Sequence, residues 1–193
     1  MKVAIIGGSG KLGLGFATRL GLTTHEVAIG SRDAAKGMSN PDAAMWCDIA
    51  IVTVPYAAHR GILAPLKDAL RGKIVIDATV PLNPQNIFQV ATESGRSAAQ
   101  EANDLLSGAH VFAAFQTISH RILQRTDHSE DVLVAGGDAG KIEVLQLIRE
   151  MNLRPVHVGP LDAAGLLERM TVLLISINKT NKVKECGLKV TGI

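Results

Sequence analysis

The chain has 193 residues and a formal net charge of +2, and 47% of its residues are hydrophobic but only 3% are aromatic. This length suits one domain with a sizeable core, and so small a charge excludes nucleic-acid binding driven by bulk electrostatics. We therefore expect a single domain over 1–193 and no nucleic-acid partner. An interior rich in Val, Ile, Leu and Ala is typical of strands buried on both faces of a parallel sheet.

Apolar runs alternate with helical patterns along the whole chain. Strands are predicted over 2–6, 26–30, 48–54, 73–77, 110–115, 132–135 and 154–158, and helices over 11–21, 58–70, 97–106, 139–151 and 162–180. This alternation predicts an α/β fold with a doubly wound, mostly parallel sheet. Residues 160–193 would form a C-terminal helical extension of that domain.

The segment that follows the second strand is unusually short. A crossover helix with its two flanking strands needs about 30 residues, and residues 33–47 are too few to supply a normal helix and a full third strand. We therefore predict a shortened crossover in which the third strand is missing or vestigial. In this prediction residues 41–46 make only a short helical turn and the sheet ends at the second strand.

The cysteines and the apolar runs indicate the cellular compartment in which the protein is expected. Cys47 and Cys186 lie far apart and lack the spacing of metal ligands, so neither a metal site nor a disulfide framework is expected. Met1 leads directly into an apolar run without the pattern of a signal peptide. The apolar stretch over 170–177 is too short to cross a bilayer. We expect a cytoplasmic protein with no membrane partner.

A glycine-rich turn directly follows the first predicted strand. Gly8, Gly10 and Gly13 have the G-x-G-x-x-G spacing between a strand and a helix, the context in which this motif binds dinucleotides. Gly8 permits a tight turn, Gly10 allows close approach of a pyrophosphate, and Gly13 allows the helix to pack on the strand. The helix N-terminus offers free N–H groups to the phosphates. The sequence therefore predicts a Rossmann-type dinucleotide-binding domain.

The end of the second strand indicates which dinucleotide is bound. An NAD site usually has an acidic residue there, whereas this chain has Ser31 and Arg32 and no carboxylate before Asp33. A hydroxyl beside a guanidinium suits a 2′-phosphate, and Lys36 lies one helical turn further on. This pattern favours NADP(H). An ordinary solvated turn at Ser31 and Arg32 is the alternative.

Beyond these motifs, the chain resembles the NADP-dependent oxidoreductases of the deazaflavin coenzyme F420. The resemblance covers nearly the whole chain and is carried by residues 7–13, 25–27, 30–32, 38, 40, 42–44, 47–50, 53–55, 93–99, 153–155, 159–161 and 167–174. It implies that NADP(H) is the cofactor and that coenzyme F420 is the co-substrate. The implied reaction is hydride transfer between the two, which needs positioning and exclusion of water rather than a metal.

The resemblance also implies a role for particular residues. The pyrophosphate would be held by Ser9, Gly10, Lys11 and Leu12, and the 2′-phosphate by Ser31, Arg32 and Lys36. Val54, Pro55 and Val80 would border the nicotinamide, and residues 116–120, with Gln116, Ile118 and His120 as substrate-binding residues, would help form the deazaflavin pocket. Lys11 could equally face water.

The chain departs from the family at the predicted substrate pocket. Where the family reads His-Thr-Ile-Pro, residues 116–119 read Gln-Thr-Ile-Ser, and where the family has Trp-Glu-His after the proline, the histidine comes one place later, at His59. No catalytic residue is certain. Gln116 and His120 are positioning candidates, and ordinary structural roles for both are equally consistent with the sequence.

Two alternatives for the function therefore remain open. One is an NADPH-dependent reductase of another acceptor, such as a flavin, an imine or a metal chelate. The other is a non-catalytic NADPH-binding sensor.

The predicted helix over 162–180 is apolar over more than one face, and a helix apolar over so much of its circumference needs to be buried. We therefore expect a homodimer that covers its outer side.

Overall fold

A computed structural model of the chain describes residues 1–92, 94–127 and 129–193. Of residue 34 it describes the backbone only. Glu93, which belongs to one of the family-like segments, lies outside the described residues. In chain order the strands are β1 (Lys2–Ile6), β2 (Glu26–Ser31), β3 (Met38–Ser39), β4 (Ile49–Val52), β5 (Ile74–Asp77), β6 (His110–Ala114), β7 (Asp131–Gly136) and β8 (Arg154–Gly159). The helices are α1 (Lys11–Leu20), α2 (Asn40–Trp46), α3 (Tyr56–Leu63), α4 (Ala98–Leu105), α5 (His120–Gln124), α6 (Lys141–Glu150) and α7 (Ala164–Thr180).

The strands of the described chain form one sheet in the order β3-β2-β1-β4-β5-β6-β7-β8. All neighbouring pairs are parallel except β6 and β7, which run antiparallel. The predicted α/β fold with a mostly parallel, doubly wound sheet is therefore confirmed. Every residue of β4 is buried, as expected for a strand covered on both faces.

The crossover after β2 is short, as predicted, but the sheet does not end there. Two residues form β3, in which Met38 pairs with Gly30 and Ser39 pairs with Ser31. A vestigial third strand is therefore present, and the prediction that the sheet ends at β2 was wrong, because these two residues pair with the end of β2. The seven-residue helix α2 directly follows β3 and packs against β1 and β2. The side chain of Ser39 caps this helix by accepting a hydrogen bond from the backbone N–H of Asp42, which is a common N-cap contact.

Two helices also differ from prediction. The helix predicted over 58–70 ends as an α-helix at Leu63 and continues as a 3₁₀ turn over Ala64–Leu66, because Pro65 has no N–H to donate within an α-helix. Helix α5 was not predicted at all. It has five residues, too few to show a helical period in the sequence.

Helix α1 is joined to α5 and α6 by a fully buried arginine. Arg19 is 0% exposed, and its guanidinium donates to the backbone carbonyls of Ile122, Leu123 and Met151 at 2.9–3.0 Å. The last carbonyls of a helix have no partner within the helix. Arg19 therefore supplies donors where α5 and α6 end.

Helix α7 packs beside α4 and against β6 and β7. The hydroxyl of Thr171 donates to the carbonyl of Gln116 at 2.8 Å, and the carboxyl of Glu168 accepts from the backbone N–H of Ala98 at 2.7 Å. On its outer side, Leu166 and Leu173 are each 56% exposed. None of the helices in the described ranges is long and apolar enough to cross a membrane.

Candidate functional site

A cleft of about 540 Å³ opens at the carboxyl ends of β1, β4 and β5. Strand β1 pairs with β2 on one side and with β4 on the other. The order of the strands therefore runs outward from β1 in two opposite directions. In open α/β sheets, ligands bind at this kind of switch point. The cleft is lined by Gly7, Ser9, Gly10, Lys11, Leu12, Arg32, Asn40, Thr53, Val54, Pro55, Ala58, Ile62, Ala78, Thr79, Val80, Phe115, Gln116 and Ile118.

The glycine-rich turn fits a pyrophosphate. A Cβ on Gly13 would lie 2.3 Å from the Cα of Gly8, so the start of α1 packs on the turn with no room for a side chain. A Cβ on Gly10 would meet nothing closer than 4.0 Å, so its backbone faces open space. Gly10 is also the N-cap of α1 and no side chain caps that helix. Its first N–H groups are therefore available to phosphate oxygens.

The end of β2 lies beside this turn. Ser31 is buried and its Oγ lies 3.4 Å from Oγ of Ser9. The exposed Arg32 lines the cleft, and within the described part of the chain no hydrogen bond or ion pair involves its side chain. Lys36 is 64% exposed, lies 3.3 Å from the carboxyl of Asp33 and is not among the lining residues. Ser31 and Arg32 thus come together with the glycine turn, and Lys36 does not.

Asn40 is a site residue for which the sequence analysis gave no role. Its side chain is buried, and Oδ1 accepts a hydrogen bond from the backbone N–H of Gly7 at 3.2 Å. A Cβ on Gly30 would lie 2.7 Å from the same oxygen. Asn40 therefore joins the first residue of α2 to the glycine turn. Its position directly after Ser39, a predictable N-cap residue, is the only local signal that could have indicated this contact.

The opposite end of the cleft combines apolar walls with buried polar atoms. Val54, Pro55, Val80 and Ile118 line it, as does Gln116. The amide nitrogen of Gln116 donates to the carbonyl of Asp77 at 2.8 Å, whereas its Oε1 is buried without a partner in the described structure. The atom that Gln116 leaves unpaired is thus an acceptor.

His120 lies further away than the sequence suggested. It is the first residue of α5, follows the N-cap Ser119 and is not among the residues that line the cleft.

Phe115, which lines the cleft, has a φ of +72° and packs edge-on against Phe16 at 4.7 Å between ring centroids. A left-handed backbone at a bulky residue is uncommon and is found preferentially at functional sites.

A buried histidine–carboxylate pair lies directly beneath the cleft. Nε2 of His59 donates to Oδ2 of Asp77 at 2.7 Å, and both residues are at most 1% exposed. The other carboxylate oxygen, Oδ1, accepts from the backbone N–H of Thr79 at 2.8 Å. In the sequence His59 stands out only as the displaced histidine of the family pattern and Asp77 does not stand out, because nothing in the local pattern shows that α3 and β5 bring them together.

A second cavity of about 710 Å³ lies between α7 and the segment before α4. Glu168 lines it and is 1% exposed, and this burial raises the pKa of its carboxyl from 4.5 to about 8. Among the described residues, no group of three or more His, Cys, Asp or Glu side chains is arranged to hold a metal ion.

Fold and site together define a Rossmann-type dinucleotide-binding protein. Residues 2–81 match the family described as NADP oxidoreductase, coenzyme F420-dependent. The chain is 34% identical to the F420-dependent NADP reductase of Methanothermobacter thermautotrophicus, over 100% of this chain and 96% of that protein. It is 31% identical to the F420-dependent NADP reductase of Methanocaldococcus jannaschii, over 100% and 99%. The chain belongs to the F420-dependent NADP reductase family, so the resemblance seen in the sequence is confirmed.

A solved structure supports the fold over the full length. The crystal structure of a candidate F420-dependent NADP reductase from Arthrobacter sp. FB24 superposes with a TM-score of 0.88, covering 100% of both chains. Sequence identity is 20%, so this likeness bears on the architecture alone.

Proposed function

We propose that this protein is an oxidoreductase that transfers a hydride between NADP(H) and coenzyme F420. When bound, NADPH supplies the hydride and the deazaflavin ring accepts it. Membership of the family supports this proposal. The observation that carries it is the cleft itself. It joins the glycine turn and Arg32, which has no partner among the described residues, at one end to small and apolar walls at the other.

The NADP(H) half of the proposed site is built on α1 and β2. Ser9, Gly10, Lys11 and Leu12 would hold the pyrophosphate, with Gly8 and Gly13 shaping the turn beneath them. Ser31 and Arg32 would bind the 2′-phosphate. Lys36 would add only a screened positive charge, because it lies outside the cleft beside Asp33. Asn40 joins this set as the residue that holds the turn at Gly7.

The second half of the proposed site is built on the ends of β4, β5 and β6. Val54, Pro55 and Val80 would border the nicotinamide and exclude water from it. Gln116 and Ile118 would contact F420, with the unpaired Oε1 of Gln116 accepting a hydrogen bond. Because His120 lies outside the lining residues, we propose no direct contact for it.

A steady-state assay tests the proposed activity. The purified protein is mixed with NADPH and F420, with FMN replacing F420 as the control acceptor, and absorbance is followed from pH 5 to 9. We expect F420 reduction that depends on NADPH, and little reaction with FMN. A protein that binds NADPH but changes the absorbance of neither acceptor would contradict the proposal and favour a sensor or another acceptor.

We also propose a homodimer formed through α7, with residues 1–193 acting as one NADP-binding unit and 160–193 as its helical extension. Along α7, Leu166, Met170, Leu173 and Ile177 follow one another at spacings of four, three and four residues. Leu166, Leu173 and Ile177 are exposed by 38–56%, and Met170 is partly buried against the core. This spacing forms one stripe along a helix. A cytoplasmic location fits the two unpaired thiols, Cys47 and Cys186.

A further inference from the structure

We propose that His59 is a positioning residue for hydride transfer, acting through Asp77 on the walls of the cleft. The expected effect on kcat rests on the proposed function, whereas the expected effect on the positions of the cleft walls does not. His59 does not line the cleft. Its neighbours on α3, Ala58 and Ile62, do line it.

The carboxylate of Asp77 connects two walls of the cleft. Through Oδ2 it holds α3 by way of His59, and through Oδ1 it holds the backbone N–H of Thr79, which follows β5. The hydroxyl of Thr79 lies 3.5 Å from the carbonyl of Val54, at the end of β4. The segments after β4 and β5 are therefore joined to α3 by one buried carboxylate.

The same residue also orients the third wall. The backbone carbonyl of Asp77 accepts from the amide nitrogen of Gln116, and the carbonyl of Gln116 accepts from Thr171 on α7. The buried polar side chains of His59, Asp77 and Gln116, together with the half-buried Thr171, thus link α3 to α7 beneath the cleft. In this network the carboxylate of Asp77 has a partner at both of its oxygens, and paired buried polar groups of this kind restrict the movement of the elements that they join.

Removal of the imidazole would leave the carboxylate of Asp77 buried without its main side-chain partner. A buried charge in that state draws in water or rotates toward another donor, and either change releases Thr79 and moves the walls that hold the reacting rings. Displacements of about 1 Å in such walls lower rates by about 100-fold. The phosphate-binding end, built on α1 and β2, does not share these contacts.

The test compares His59→Gln with His59→Asn. The Nε2 of glutamine is as many bonds from the backbone as Nε2 of histidine and reaches the carboxylate, whereas the shorter asparagine does not. We expect His59→Asn to lower kcat for F420 reduction by about 10- to 100-fold with less than about threefold change in KM for NADPH, and His59→Gln to restore most of the rate. Equal kcat values for the two variants would overturn the proposal.

A matched control separates positioning from a general loss of stability. His25 also pairs with a carboxylate, with Nε2 2.6 Å from Oε2 of the partly exposed Glu150, but at the opposite end of the sheet. His25→Asn and His25→Gln should leave kcat unchanged at a temperature where all four variants are folded. A fall in kcat for His25→Asn as large as that for His59→Asn would mean that only stability is affected, and would refute the inference.

Hydrogen exchange provides a readout that needs no turnover. In His59→Asn, amides within 53–58 and 78–80 should exchange at least about 10-fold faster than in the unaltered protein, whereas amides of the glycine turn over 7–13 should not change. Unchanged exchange in all three segments would refute a positioning role. If the unaltered protein fails to reduce F420, the proposed function fails, and the exchange experiment still decides whether His59 positions these walls.

Discussion

Arg32 is an exposed guanidinium at the phosphate end of the cleft, with no partner among the described residues. If it holds the 2′-phosphate, Arg32→Ala should weaken NADPH binding by about 1.5–3 kcal/mol, the range for a hydrogen bond to a charged group. NADH lacks this phosphate, so its affinity should barely change. Titration calorimetry with both cofactors measures the difference. Lys36→Ala is the control, because Lys36 lies outside the cleft and its loss should cost NADPH much less.

Equal affinities of the unaltered protein for NADPH and NADH would contradict the assignment of Ser31 and Arg32. An effect of Lys36→Ala on NADPH binding as large as that of Arg32→Ala would contradict the position of Lys36 outside the cleft. It would mean that the segment after β2 closes over the phosphate when the cofactor binds.

Glu168 provides a second prediction for a single residue. Burial raises the pKa of its carboxyl from 4.5 to about 8, so the folded state binds a proton that the unfolded chain releases between these pH values. Its stabilising contribution is therefore complete below pH 4.5, falls by at most about 1.4 kcal/mol per pH unit above it, and is lost above about pH 8. Glu168→Gln keeps an acceptor for Ala98 and removes the titration.

Denaturant unfolding from pH 4 to 9 tests this prediction. The difference in unfolding free energy between Glu168→Gln and the unaltered protein should grow in favour of the variant as the pH rises from 4.5 to 8. A difference that stays constant over this range would show that Glu168 has an ordinary pKa in the folded protein.

At the scale of the elements, the ends of α5 and α6 depend on a residue of α1. Arg19→Met keeps much of the buried side-chain volume but leaves several backbone carbonyls without donors. We expect the free energy of unfolding to fall by at least about 3 kcal/mol, because each lost hydrogen bond to a charged group costs about 1.5–3 kcal/mol. Thermal or urea unfolding measures this loss. Arg149→Met, at an exposed position of α6, should change stability little, and an equal loss there would contradict the assigned role.

The elements also show how far the sequence predicts this structure. The glycine turn, β1, α1 and β2 follow from local periodicity and turn chemistry, and Arg32 was named from the end of the second strand. The roles of Ser9 to Leu12 came from the family resemblance. Helix α5 and strand β3 are too short to leave a period in the sequence. Asn40 and the pair of His59 with Asp77 are contacts between elements, and a single sequence does not show which side chains tertiary packing brings together.

At the scale of the whole molecule, the proposed homodimer would be formed through the outer side of α7. If the stripe of Leu166, Met170, Leu173 and Ile177 forms a dimer interface, light scattering at micromolar concentration should give twice the mass of one chain. Leu173→Asp should then yield a folded monomer, because an unpaired charge is costly in a buried interface. Leu22→Asp is the control, since Leu22 is 62% exposed in the turn after α1. A monomeric mass for the unaltered protein would contradict the proposed dimer.

The two-residue strand β3 also bears on how quickly the nucleotide can be exchanged. In the proposed function NADP(H) is a co-substrate, so the oxidised form has to leave after every turnover. Beyond β2 the sheet is extended only by Met38 and Ser39, and Arg32, Asp33 and Lys36 in the connecting segment are all exposed. An edge strand of two residues can separate from β2 without the loss of a long series of strand hydrogen bonds. The shortened crossover thus favours a brief residence time for the nucleotide and rapid replacement of the spent cofactor.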